Sequence, residues 1–158
     1  MRFPNLSCED LLIVLCIALV KDTAEASVLN LFKICDIVEV VKPCNGINWE
    51  LLLKRAKQLR AQRALLVGLR AADELLGISM PADIRDLVSS SSVLETIARH
   101  TVEMVRYGRP AAKRFPYQTR IIVGAREHPI DKALVVSLKI GALSRETARK
   151  IRALSAAC

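Results

Sequence analysis

Two histidines, five cysteines and sixteen acids are the side chains that could carry chemistry in this 158-residue chain. The cysteines are Cys8, Cys16, Cys35, Cys44 and Cys158, and no pair has CxxC spacing. On one helix Cys8 and Cys16 would stand about 12 Å apart along the axis, too far to bridge. With only His100 and His128 as imidazoles, spacing assembles no zinc set. Reduced, buried thiols in a reducing compartment are the simplest account. A nucleophilic serine would need a Gly-x-Ser-x-Gly turn, which the chain lacks, and neither histidine lies near a suggestive serine or cysteine in sequence. Paired carboxylates could do acid–base work or hold a cation. The pairs present, Glu9-Asp10, Asp73-Glu74 and Asp83/Asp86, sit at helix starts or on polar faces, where capping and solvation account for them. Neither phosphate-binding glycine pattern occurs, and Gly68 lies inside an aliphatic helix, where close packing is the expected role. No catalytic residue and no metal ligand are therefore expected.

The remaining candidates are cations. Residues 1–98 hold 11 basic and 12 acidic side chains; residues 99–158 hold 13 and 4. The whole excess behind the net charge of +8 lies in the last 60 residues. Such a patch attracts phosphate, in a nucleic-acid backbone or an anionic partner; a solvated face, or one that meets an acidic neighbouring domain, is the plainer reading.

The elements that must position these groups read as helices. Hydrophobic residues are 52% of the chain, aromatics only 4%, and mean hydropathy is +0.29, which excludes disorder and suits packing by aliphatic ridges. Ser7 caps a first helix with Glu9 and Asp10 in its first turn, running to about Val20. Its apolar run Leu11–Val20 is too short to span a bilayer. The acids before it argue against a signal peptide, despite Ala24-Glu25-Ala26, and point to a fully buried core helix. Lys21-Asp22-Thr23 reads as a break. A second helix fits Ala24 to Lys42 with Val28, Leu31, Cys35, Val38 and Val41 on one stripe. Asn48 caps a third, Trp49 to about Arg60, with Lys54, Lys57 and Arg60 on its polar face. A fourth runs Gln62 to Leu76 and is capped by Gly77. Pro81 suits the first turn of a fifth, the serines 89–92 break the chain, and a sixth runs from about Val93 to Tyr107. A basic connector follows, then Ile121-Ile122-Val123 as a short strand or a helix turn, and helices over Pro129–Ile140 and Ser144 to about Ala156. The expectation is an all-α bundle of short, mostly antiparallel helices with a basic C-terminal extension, divided as a helical domain over 1–108 and basic helices over 109–158.

Residues 138–151, from Leu138 to Ile151, resemble the turn and second helix of a helix-turn-helix, with Arg145, Arg149, Lys150 and Arg152 as the charged positions. The turn is one residue longer than the usual form, and an ordinary capped terminal helix is the plainer reading.

Phe3-Pro4-Asn5-Leu6-Ser7-Cys8-Glu9-Asp10-Leu11-Leu12, Lys33-Ile34-Cys35-Asp36-Ile37, Asn48-Trp49-Glu50, and Gln62-Arg63-Ala64-Leu65-Leu66 running on to Glu74-Leu75-Leu76-Gly77 follow a recognisable order. In that order and spacing they resemble the uncharacterised nucleotidyltransferase family of bacteria, over about residues 3–105, with residues 126–132 as an extension. The resemblance implies a mixed α/β catalytic half upstream of a helical half, and nucleotide transfer from NTP with Mg²⁺ in full-length relatives. The family's His-Gly pair and following Lys-His are replaced here by Ala18-Leu19 and Val20-Lys21-Asp22-Thr23. Its Gly-Ser turn and Asp-x-Asp pair, which hold Mg²⁺ against a triphosphate, occur nowhere in the 158 residues. The chain thus resembles the helical half alone, a truncated product with no cofactor of its own. The expected role is substrate positioning or docking to a catalytic nucleotidyltransferase half; the high aliphatic content also allows self-association, and the thiols and the short apolar run point to the cytoplasm and away from membranes. Arg109, Lys113, Arg114, Arg120 and Arg126 would meet phosphate. The alternative is a nucleic-acid-binding module built on Arg145, Arg149, Lys150 and Arg152.

Overall fold

The structure, a computed structural model, describes residues 6–25, 31–42 and 47–107. Within them six helices follow one another, with no strand: α1 (Cys8–Glu25), α2 (Leu31–Val41), α3 (Trp49–Gln58), α4 (Gln62–Leu76), α5 (Ala82–Ser89) and α6 (Ser92–Tyr107). The all-α expectation holds.

Local chemistry sets most of the boundaries. Ser7 Oγ accepts the Asp10 N–H at 3.2 Å and Asn48 Oδ1 accepts the Leu51 N–H at 2.9 Å, so both predicted caps form. α4 stops at Gly77, whose φ of 65° is left-handed and whose N–H reaches the Asp73 carbonyl. α3 also closes through a residue with left-handed φ, but with a different hydrogen-bond pattern. The Ala61 N–H bonds the Ala56 carbonyl at 2.8 Å and the Arg60 N–H bonds the Lys57 carbonyl at 3.1 Å, with Arg60 at φ 55°. Pro81 stands just before α5, with extended ψ, and not inside its first turn.

Two helix boundaries depart from the sequence reading. α1 does not break at Lys21-Asp22-Thr23 but continues to Glu25. Thr23 is buried there: its hydroxyl donates to the Leu19 carbonyl at 2.9 Å and lies 3.4 Å from Thr101 Oγ1 on α6. Asp22 is paired with Lys33 of α2. Polar residues that find partners this way need not end a helix. The described second helix begins at Leu31, not Ala24. Its buried stripe is Ile34, Ile37, Val38 and Val41; Leu31 is exposed and Cys35 half-buried, so the predicted stripe is rotated.

Nor is α1 fully buried. Leu12, Ile13, Cys16, Leu19 and Val20 face the core, while Val14 and Ile17 remain 52% and 43% exposed. The inner face is set against α4, the central helix, which packs on α1, α2, α3, α5 and α6. An unbroken buried run, Ala64 to Leu69, makes α4 a core element in spite of its ordinary length. α1 and α4 meet at Gly68: a Cβ built there would lie 2.4 Å from Cys16 Sγ, 2.8 Å from its Cβ and 3.2 Å from its Cα. The glycine costs the helix about 1 kcal/mol relative to alanine, and the backbone approach is what it permits.

Gly68→Ala is therefore expected to destabilise the chain by about 1–3 kcal/mol, because overpacking outweighs the propensity gain. Adding Cys16→Ala removes the nearest atom and recovers part of the loss. Urea unfolding of the two single variants and the double variant measures the coupling, and a neutral or stabilising Gly68→Ala would contradict the contact.

Candidate functional site

Polar groups gather at three places. The first joins the starts of α1 and α3. Arg55 Nη1 donates to Asp10 Oδ2 and to Ser7 Oγ, both at 2.8 Å, and Ser7 Oγ donates to Asp10 Oδ2 at 2.9 Å. The Glu9 carboxylate accepts the Asn48 N–H at 3.3 Å. Hydrogen bonds from its own main chain, and then from Asn48, hold the Glu9 carboxyl below its ordinary range, against a smaller opposing effect of burial. The side chains of Arg55 and Asp10 are 35% and 36% exposed, so the pair is worth well under 1 kcal/mol after solvent screening. It fixes register more than it stabilises.

The second is a chain of ion pairs across α4, α5 and α6. Asp73 lies 3.7 Å from Arg70 and 3.6 Å from Arg85; Arg70 Nε lies 3.6 Å from Glu95 Oε2; Arg106 reaches Glu74 at 3.9 Å. All four separations exceed hydrogen-bond length, and Arg70 Nε and Glu95 Oε2 are buried without a hydrogen-bond partner. These are charge pairings that orient helices.

The third is internal. Thr101, fully buried, donates to the Ile97 carbonyl at 2.9 Å and meets Thr23. Beside it His100 is 9% exposed; burial lowers its basicity, with nearby Glu103 opposing. Burial alone drives the Cys16 thiol far above the ordinary thiol range, so it stays protonated and unreactive.

Each predicted carboxylate pair thus has a structural setting: Glu9-Asp10 bind α3, Asp73-Glu74 pair with arginines, and Asp83 and Asp86 are exposed on α5. Among the described residues no three His, Cys, Asp or Glu side chains come together as a metal site would require, and no helix is long and apolar enough to cross a membrane. The reduced-thiol expectation needs correction at one position. Cys16 and Cys35 are free, but Cys8, in the exposed first turn of α1, is disulfide-bonded. An oxidised Cys8 does not fit the reducing compartment read from the cysteine count. The predicted phosphate-binding residues Arg109, Lys113, Arg114, Arg120 and Arg126, and the helix-turn-helix positions Arg145, Arg149, Lys150 and Arg152, lie outside the described residues. The Ser7–Asp10–Arg55 cluster and the Arg70–Glu95 pairing were missed, since sequence separations of 45 and 25 residues leave no local pattern.

Both shifted groups bind protons more weakly folded than unfolded, so each contributes stability that is complete above its ordinary pKa and lost on acidification. Stability is expected to fall first as the pH drops below about 6.5, through His100, and again below about 4.5, through Glu9. His100→Gln removes the first step and Glu9→Gln the second. Urea midpoints at about pH 7.5, 5.5 and 3.5 read both, and an unchanged wild-type profile in either variant would refute its assignment.

No curated protein and no solved structure matches the chain. Over residues 1–77, from before α1 to the glycine that closes α4, the chain is similar to the family described as uncharacterised nucleotidyltransferase.

Proposed function

We propose that this chain is a non-catalytic helical portion of a nucleotidyltransferase-like protein, contributing to substrate positioning or to docking of a catalytic partner. The observation that carries the reading is where the family match falls. Residues 1–77 contain α1 to α4, the helices bound together by the Cys16–Gly68 contact and the Arg55–Asp10 corner. The family resemblance therefore rests on a scaffold, while the Gly-Ser turn and Asp-x-Asp pair that would grip a metal–triphosphate do not occur in the sequence. A catalytic half would have to supply them. In this reading Arg109, Lys113, Arg114, Arg120 and Arg126 are the side chains offered to a phosphate-bearing substrate.

The purified chain, given the four radiolabelled NTPs, Mg²⁺ and protein or small-molecule acceptors, is expected to transfer no NMP. Robust magnesium-dependent labelling, abolished by EDTA, would overturn the proposal.

A further inference from the structure

We propose that the outward seam of α1, formed by Asp10, Val14, Ile17 and Lys21, docks antiparallel on the same seam of a second copy of this chain. The inference stands on the placement of side chains around α1 and not on the nucleotidyltransferase reading.

The seam follows from helix geometry. Its four residues are spaced by four, three and four, so they lie on one line over about three turns, ~16 Å of axis. Leu12, Cys16 and Leu19 are fully buried on the opposite side. Val14, Ile17 and Lys21 are exposed and Asp10 is half-buried; Leu11 and Ala18, also half-buried, flank the line. From Leu11 to Val20 the one side chain that is not a hydrocarbon is the buried thiol of Cys16. A single exposed apolar residue needs no explanation, but a surface helix normally turns a charged face to water. The exposed middles of other helices do so, at Asp36 and Glu39 of α2, Lys54 and Lys57 of α3, and Arg99 and Glu103 of α6. α1 turns valine and isoleucine outward instead.

The ends of the seam specify its occupant. At the start of α1 two acids, Glu9 and Asp10, stand against one cation, Arg55, which leaves that end negative. At the other end Lys21 makes no ion pair among the described residues, while its neighbour Asp22 is committed to Lys33. A negative end, an apolar middle and a positive end form a self-complementary pattern. A twofold axis midway between Val14 and Ile17 sets each Val14 against an Ile17 and each Asp10 against a Lys21 of the other copy. The four-three spacing is the one by which two helices interlock their side chains. A parallel pair would set acid on acid and lysine on lysine, with helix dipoles aligned rather than opposed. The same acids disfavour an anionic lipid surface as the occupant.

Size sets the strength. One seam of three turns is smaller than the ~800 Å² that each side of a standard interface buries, so association is weak, with Kd on the order of 100 µM.

Sedimentation velocity of the full chain between about 5 and about 500 µM tests this. A monomer–dimer equilibrium is expected. Ile17→Lys should raise Kd at least about tenfold, and Lys21→Glu about threefold at roughly 50 mM KCl, the second effect shrinking at roughly 500 mM. Both side chains point away from the core, so Tm at about 5 µM should move by less than about 2 °C in either variant. Val14→Cys mixed with Ile17→Cys should cross-link on oxidation with diamide faster than either variant alone, as the antiparallel register requires. A chain that stays monomeric throughout would overturn the proposal, as would a dimer indifferent to Ile17→Lys or a preference for cross-linking Val14→Cys to itself. Failure of the NMP-transfer expectation would leave these readouts untouched.

Discussion

The closeness of α1 and α4 governs this molecule. Where Gly68 meets Cys16, two helices approach nearer than any side chain at position 68 would allow. Close-packed interiors transmit such a constraint outward. With α1 seated on one side of α4, the apolar residues of α2 and α3 have a fixed surface to cover, and α5 and α6 close the rest. α4 can then be aliphatic on nearly every side in fifteen residues. A buried cysteine suits the contact. It is small, and its desolvated thiol is held protonated, so no charge is placed against the glycine.

Around that contact the polar groups act as locators. The Arg55–Asp10–Ser7 cluster sets α3 against the start of α1, the Thr23–Thr101 pair sets α6 against its end, and the Asp73 and Glu95 pairings align α5 and α6 on α4. Most are partly solvated or longer than hydrogen bonds, so their energetic share is small beside the aliphatic core. Their value lies in direction: apolar ridges tolerate sliding, and a charge pair does not.

The helices were legible where one signal acted alone. Caps at Ser7 and Asn48 and the stop at Gly77 formed as read, and Gly68 proved to be a packing glycine. Misreadings arose where distant residues decided. Thr23 looks like a helix breaker until Thr101, 78 residues later, encloses it. The stripe of α2 was drawn through Leu31 and Cys35, because periodicity over eleven residues does not settle rotation by one position. Val14 and Ile17 looked buried, since an apolar run does not say which side another helix covers. The clusters with chemical character were not legible at all, because each is assembled from different helices.

The family match spans residues 1–77, yet α4 also packs against α5 and α6, which lie beyond that span. Thermodynamically the matched span and the cohesive unit do not coincide. The first four helices alone would leave the aliphatic flank of α4 wet, an exposure that invites aggregation. A fold built on α1 to α4 therefore needs a cover for that flank. The physical demand on that cover is only that its inner side be apolar.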